Sequence, residues 1–386
     1  MAEAFHAHAA ERRLTEALTA LGPTGWHRME AVFAMTVASE VSRLVYSIGE
    51  RRVSISPPED VLALVREQRA LAAAASTGPW WRMSLVLSAS GALDVEHDYG
   101  EEPFPHGQLF APEAYRADLA AYPRDRLPVW LAAYTGHGDR QRRSPQQAAR
   151  QARADRADRV WPVLSEYEFP PFPLLWARWA TIAAAFVAVG SDRGPRMLPW
   201  TAVFEGSALD GSILHALPSG RAVLSGGVWN APTLDAVYNG GAPMPNFYAG
   251  APDWVADPVL DPRATSGLLS FCYWWDAGRW YRGASPSAQE CEVAVPGVWT
   301  KDIVTGVIAG LFDEQPLPAT LEAIGALLRA AEAGTVTRRE LVAVFGSTES
   351  VDIDGALYQF GLAGLVPPTP EPMSESDAIA RVRDDT

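Results

Sequence analysis

The stretch WWRMSLVLSASGALDVEHDYGEEP, residues 80–103, carries the clearest strand pattern of the chain. Apolar and polar residues alternate along it on both sides of the Ser90-Gly91 dipeptide, which is typical of a tight turn. The stretch therefore predicts two adjacent strands joined by a short turn, as in an antiparallel sheet.

The second strand of this hairpin gathers negative charge on one face. Strand alternation separates two apolar residues and a histidine from three carboxylates: Leu93, Val95 and His97 against Asp94, Glu96 and Asp98. Two more carboxylates, Glu101 and Glu102, follow at once. Like charges on an exposed face repel one another unless a cation or a cationic partner neutralises them. The alternative interpretation is a solvated edge strand that carries charge against aggregation.

Regular patterns continue on both sides of the hairpin. Before it come a helix, a loosely alternating pair of strands and a second helix, in residues 4–21, 25–52 and 56–75. After it, residues 111–131 predict a helix that stops at Pro123 and a tail that ends on Trp130 and Leu131.

The second half of the chain differs in composition. Residues 136–159 are polar and rich in Arg and Gln, which predicts a linker or a solvated helix at a domain boundary. Residues 161–300 hold ten of the 14 tryptophans, in short strand-like runs separated by loops rich in Gly and Pro. Residues 300–345 predict three helices.

We therefore predict an α+β fold of antiparallel sheets packed with helices, in two main domains with a small C-terminal helical segment. The predicted parts are a first α+β domain, a linker or helix, a Trp-rich α+β domain, a helical segment and an acidic, mobile tail: residues 1–138, 139–160, 161–300, 301–366 and 367–386.

Charge and composition narrow the functional classes. The net charge is −14, and no predicted domain has the basic surface of a nucleic-acid-binding protein. A negative field favours a cationic partner, although many bacterial proteins are acidic only for solubility. No apolar run reaches the ~18 residues of a membrane span, and no secretory signal is visible. Two cysteines, Cys272 and Cys291, fit a reducing cytoplasm.

Motifs for catalysis and cofactors are absent from the sequence. The seven histidines and two cysteines form none of the spacings of a zinc site, and no phosphate-binding loop or nucleophile elbow occurs. We therefore expect no metal, no cofactor and no catalytic residue. A hydrolase with carboxylates such as Glu166, Glu168 or Asp276 in a Trp-lined cleft is the alternative.

One cluster of the Trp-rich domain is a second candidate site. It is the densest mixture of aromatic and polar residues in the chain: Trp274, Trp275, Asp276, Arg279, Trp280 and Tyr281. Packing in a hydrophobic core is the other interpretation of these rings.

The first third of the chain is similar to the YezG-like family of bacterial immunity proteins, over residues 24–134. The matching features are Trp26, the Trp80-Trp81 pair, Gly91, the exit DYGEEP at 98–103 and a helix that ends near proline in YPRDRLPVWL at 122–131. Members of that family are usually one small domain, and the rest of this chain departs from the pattern.

The resemblance implies an immunity protein, or antitoxin, that protects a cell from a secreted toxin of its own polymorphic or type VII system. Such proteins inhibit by stoichiometric binding, and toxins that act on nucleic acids, such as nucleases, are often cationic. We therefore expect a cytoplasmic protein that occludes a cationic toxin. Its predicted binding residues are Asp94, Glu96, Asp98, Glu101 and Glu102, with Trp80 as an aromatic anchor. The alternative is a hydrolase or a carbohydrate- or ligand-binding protein with its site in residues 161–300.

Overall fold

The computed structural model describes residues 2–74, 78–255 and 262–367. In these residues the fold is α+β, as predicted, with two antiparallel sheets. The helices are α1 (Ala2–Ala20), α2 (Glu59–Ala72), α3 (Pro112–Ala121), α4 (Val129–Gly136), α5 (Pro145–Asp158), α6 (Phe172–Ala188), α7 (Pro232–Tyr238), α8 (Lys301–Ala309), α9 (Pro318–Ala333), α10 (Arg338–Phe345) and α11 (Ile353–Leu362). The strands are β1 (Arg28–Met35), β2 (Glu40–Ile48), β3 (Arg51–Ile55), β4 (Arg82–Ser88), β5 (Leu93–Asp98), β6 (Val163–Leu164), β7 (Arg196–Leu198), β8 (Thr201–Glu205), β9 (Gly211–Leu217), β10 (Arg221–Gly227), β11 (Phe271–Asp276) and β12 (Arg279–Arg282).

The chain divides into two compact units that are not continuous in sequence. The first comprises Met1–Arg140, Asn230–Met244 and Ser266–Leu268, and the second comprises Gln141–Trp229, Pro245–Thr265 and Leu269–Thr386. Two short segments that follow the predicted linker therefore belong to the first unit. The predicted acidic tail lies outside the described residues from residue 368 onward.

The first unit is built on a five-stranded antiparallel sheet in the order β3-β2-β1-β4-β5. The quoted hairpin forms β4 and β5, and β5 is an edge strand of the sheet. Helices α1 and α2 contribute apolar side chains, such as Leu14, Leu18, Val61 and Val65, to the core on one face of this sheet. Strand residues two apart fill the rest of that core, for example Met83, Leu85 and Leu87.

The region after the hairpin differs from its prediction. Residues 111–131 were expected to form one helix and a tail, but α3 ends at Ala121 and a separate helix, α4, begins at Val129. Pro128 precedes the first turn of α4, where a missing N–H costs nothing. The apolar run Val129–Ala133 is buried, so the predicted tail is the start of a core helix.

The second unit has a seven-stranded antiparallel sheet in the order β6-β12-β11-β10-β9-β8-β7. Helix α6 lies in its core, and the prediction for residues 161–300 missed this helix. Every residue of α6 from Leu175 to Ala185 is buried, so this part of its sequence has no polar face and no helical period to detect.

The C-terminal helices share that core. Side chains of α8 to α11, such as Val304, Leu327 and Phe360, pack in one cluster with Trp179 of α6. The predicted segment 301–366 is therefore part of the second unit, because its amphipathic helices need this apolar surface to cover their own. The Arg-rich connector forms α5, which begins with a capping box at Ser144 and also belongs to this unit.

Candidate functional site

Strand β5 presents its carboxylates as the alternation predicts. Asp94 and Glu96 are exposed, whereas Leu93 and Val95 pack against the core of the first unit. Asp98 differs from the other two. It is partly buried, lies 3.5 Å from the guanidinium of Arg82, and accepts the backbone N–H of Gly100 at 2.8 Å. Asp98 therefore fixes the turn after the strand.

Four carboxylates at this edge form no ion pair in the described part of the chain. Asp94, Glu96, Glu101 and Glu102 are exposed and take part in no ion pair there. Elsewhere in the same sheet Glu30 pairs with both Arg28 and Arg52. Hydrogen bonds from Arg28, together with the two positive charges, hold the pKa of Glu30 below its usual value despite partial burial. We call the four unpaired carboxylates the acidic edge.

The neighbouring strands do not neutralise the acidic edge. Opposite Asp94 and Glu96 on β4 lie Val86 and Ser84, which carry no charge. The row through Glu96 continues to Val32 on β1 and reaches a cation only at Arg43 on β2. Three strand spacings separate the backbones at the two ends of this row, roughly 14 Å, which exceeds the screening length at physiological salt.

Arg82 is the cation on β4 nearest in register, and other groups engage it. It pairs with Asp98, and its Nε donates to Oε1 of Gln108 at 2.6 Å. Beside Asp94 the ends of β1, β4 and β5 enclose a shallow depression of about 430 Å³, lined among others by His27, Arg28 and Leu93.

The turn that carries Glu101 and Glu102 is held by aromatic packing. The indole N–H of Trp130 donates to the carbonyl of Gly100 at 2.7 Å. Gly100 has a φ of +81°, and a Cβ there would lie 3.3 Å from the rings of Trp81 and Phe104. The two carboxylates therefore follow a backbone segment with a fixed position.

Trp80 is not the predicted aromatic anchor. Its side chain is 0% exposed and belongs to the core of the first unit, together with residues of α2 such as Val61 and Val65. Its indole N–H donates to Oε1 of Gln68 at 2.6 Å, and Nε2 of Gln68 lies 2.9 Å from Nε2 of His97. Burial lowers the pKa of His97, and the charge of Glu11 opposes this shift only in part.

A buried charge network that the sequence analysis missed supports the same region. The carboxylate of Asp118, on α3, accepts two hydrogen bonds from Arg69 at 2.7 and 2.9 Å and one from the indole of Trp81 at 2.8 Å. It also accepts the backbone N–H of Val37 at 2.9 Å. Arg124 stacks 3.7 Å from the centre of the Trp81 ring, and burial lowers the pKa of Arg124 to about 10. The network joins α2, α3 and the β1–β2 turn to the start of β4.

The second predicted cluster divides between the two faces of the other sheet. Trp275 and Trp280 are core residues on the α6 face, with ring centres 5.4 Å apart. Trp274 is also buried, but it lies on the opposite face and stacks on Tyr281 at 6.4 Å. Of the two charged members, Arg279 is exposed and Asp276 lies 3.5 Å from Arg221.

The carboxylates named for a hydrolase differ in their surroundings. Glu166 is exposed, whereas Glu168 accepts hydrogen bonds from Arg282, Tyr273 and the backbone of Ala288. Burial acts to raise the pKa of Glu168, but the Ala288 N–H and the charge of Arg282 outweigh it, so the pKa is lowered. A general acid needs the opposite shift. The surroundings of Glu168 therefore do not favour a general acid.

Features of metal and membrane sites are missing from the described residues. Within residues 2–74, 78–255 and 262–367, no group of three or more His, Cys, Asp or Glu side chains is arranged to hold a metal ion. None of the helices described there combines the length and the apolar character that a bilayer span requires. Both cysteines are buried, and burial raises the pKa of Cys291 to about 12.

No protein-family model matches the chain, and no curated protein has a matching sequence. The similarity to YezG-like immunity proteins therefore stays a prediction. The physical features of the acidic edge bear on function independently of that similarity.

Proposed function

We propose that this protein is an immunity protein that binds a cationic toxin through the acidic edge and neutralises it by stoichiometric occlusion. The observation that carries the proposal is the set of four exposed carboxylates, Asp94, Glu96, Glu101 and Glu102, which form no ion pair in the described residues. The toxin class follows the resemblance described above, and the cytoplasm is where an immunity protein would meet its own toxin.

The magnitude of the charge effect favours a role in encounter and specificity. In water, one carboxylate and one cation at ~8 Å interact by about 0.5 kcal/mol before screening. Four carboxylates on one edge therefore create a field that speeds the encounter with a basic surface more than it strengthens the final complex. Such a field also disfavours acidic proteins as partners.

The fixed backbone supports binding as well. Trp130, Gly100 and the Asp98 side chain already define the exit turn, so a partner does not have to order it. The proposal includes no chemical reaction, because occlusion requires only a complementary surface.

The first experiment is co-expression of the full chain with the product of the adjacent gene. Growth rescue together with a one-to-one complex that co-purifies is the expected result. Absence of both would overturn the proposal. The proposal would also be overturned if the gene product were toxic and this chain did not bind it.

A matched pair of variants then tests the acidic edge. Asp94→Lys with Glu96→Lys should weaken rescue, because the two lysines offset the charges of Glu101 and Glu102 and the edge no longer attracts a basic surface. Glu16→Lys with Glu50→Lys changes the net charge equally at two exposed, unpaired positions, on α1 and in the turn between β2 and β3, and it should retain rescue. Equal effects of the two variants would contradict a role for this edge.

A further inference from the structure

The second unit contains a pocket that the proposed function does not use. It has a volume of about 270 Å³ and lies between α5, the segment that follows it, and the ends of β11 and β12. Its polar and aromatic lining consists mainly of Asp155, Trp161, Trp274, Asp276 and Tyr281. The volume falls just below the ~300–1,000 Å³ of drug-sized ligand pockets. It therefore suits a group the size of one long side chain.

Asp155 places a nearly buried negative charge in this pocket. The residue is 5% exposed. Its carboxylate accepts one hydrogen bond from the amide of Gln151 and one from the backbone N–H of Gly250 at 2.8 Å. Both donors are neutral, and among the described residues Asp155 forms no ion pair. A carboxylate oxygen accepts two hydrogen bonds, so each oxygen has one acceptor direction left.

The cations around Asp155 are engaged elsewhere or exposed. Arg143 is close enough for its charge to interact with that of Asp155, but its guanidinium donates to Asn246 at 2.8 Å and stacks 4.6 Å from the Tyr248 ring centre. Arg156 also lines the pocket and is exposed. A buried carboxylate without a paired cation is unfavourable, and a positive ligand group would remove that penalty.

Aromatic rings complete the surroundings of such a group. Trp161 is 71% exposed and lies at the pocket, whereas Trp274 and Tyr281 form a stacked pair with an interplanar angle of 22°. Indole and phenol faces attract cations, and a planar guanidinium also stacks on them. Asp276 adds a second carboxylate, which forms an ion pair with Arg221 at 3.5 Å.

We propose that this pocket is a binding site for an organic cation, a guanidinium or ammonium group held by the Asp155 carboxylate against the rings of Trp161 and Tyr281. The inference concerns the second unit alone and stands independently of the immunity proposal. The cation is either a free small molecule or an arginine or lysine side chain of a protein.

The test uses the full chain and two probes of nearly equal shape, butylguanidinium and neutral butylurea, in isothermal titration calorimetry. Butylguanidinium should bind with a Kd of about 1 mM or lower, as a well-placed fragment of eight heavy atoms does, and butylurea at least about tenfold more weakly. A blocked Gly-Arg-Gly peptide distinguishes the sources. Binding as tight as that of butylguanidinium indicates a protein side chain, and weaker binding indicates a small molecule.

Variants locate the site. Asp155→Asn should weaken butylguanidinium at least about tenfold, since it removes the charge. Trp161→Ala should weaken it about threefold or more without affecting folding, because this ring is exposed. Asp158→Asn lies on the same helix outside the pocket and serves as the control. Equal affinity for the two probes, no binding at about 10 mM, or unchanged binding in both Asp155→Asn and Trp161→Ala would overturn the proposal.

Discussion

The side-chain amide of Asn239 pairs with both backbone groups of Leu127, accepting the N–H at 3.1 Å and donating to the carbonyl at 2.9 Å. The two residues are 112 positions apart in sequence and belong to the same unit. Helix α7, which ends just before Asn239, packs against α4, and Asp235 on α7 also pairs with Arg126. A segment from the middle of the chain therefore completes the first unit.

We expect Asn239→Ala to lower the free energy of unfolding of the first unit by about 1–3 kcal/mol, because two backbone groups lose their partner. Denaturant unfolding of the full chain measures the change. Thr233→Ala, on α7 and without a described side-chain hydrogen bond, should change the free energy of unfolding by less than about 0.5 kcal/mol. Equal effects would show that the amide pairing contributes little.

The ion pair of Asp118 and Arg69 should be sensitive to the loss of one partner. Asp118→Ala leaves the Arg69 guanidinium buried and unpaired, so we expect a loss of about 3–5 kcal/mol in unfolding free energy. Glu67→Ala breaks an exposed pair with Arg13 and should cost about 0–1 kcal/mol. Thermal and denaturant unfolding compare the two variants. A similar small loss in both would mean that water replaces Asp118.

Alanine substitutions at two glycines with positive φ distinguish the cost of backbone strain from the cost of side-chain packing. Gly91 has a φ of +89° and open space where a Cβ would lie, whereas Gly100 has the ring contacts described above. Gly91→Ala should cost about 1 kcal/mol from strain alone. Gly100→Ala should cost about 1–3 kcal/mol more, because the rings of Trp81 and Phe104 must move. Unfolding curves of the two variants test this, and equal losses would contradict the packing argument.

His97 should make stability depend on pH. Its folded pKa lies below the ordinary value of 6.5, so the unfolded chain binds a proton more readily than the folded protein. The contribution of His97 is therefore present above about pH 6.5 and is lost as the pH falls through the lower folded pKa. Melting temperatures between about pH 5 and 8 should fall less steeply in His97→Gln than in the wild-type chain. A slope unchanged in His97→Gln would exclude His97 as the cause.

The acidic edge should control the association rate with a basic toxin. At low salt, Asp94→Lys with Glu96→Lys should slow association by about tenfold or more, and the difference should shrink as salt screens the charges. Stopped-flow mixing of the purified proteins, at low and at high salt, measures the association and dissociation rates of the wild-type chain and of the variant. An effect confined to the dissociation rate and independent of salt would indicate short-range contacts instead.

The sequence predicted what short-range patterns control. Alternation in residues 80–103 located the hairpin and the two faces of β5, because a half-covered sheet imposes a period of two. Residues 300–345 likewise predicted three helices, which the structure contains as α8, α9 and α10. These features depend on neighbours within a few positions.

The missed features depend on distant partners. Helix α6 is covered on all sides, so its sequence shows no period, and the role of Asp118 exists only once α2, α3 and β4 meet. The sequence around Trp80 and Trp81 did not indicate which of the two rings is buried. In the structure both rings are buried. The sequence predicted Asp155 as one charged residue of a solvated, Arg-rich helix. Its burial depends on Gly250, 95 residues later, whose backbone N–H donates to its carboxylate.

The late position of α7 also sets an order of events during synthesis. About 100 residues separate the end of α4 from the start of α7, which at typical elongation speeds is roughly 5–20 s of translation. Throughout that interval the first unit of the nascent chain is incomplete, because the backbone groups of Leu127 do not yet have their hydrogen-bond partner Asn239. Slow codons or a stalled ribosome between α4 and α7 would prolong this vulnerable stage and expose the nascent chain to proteases and chaperones.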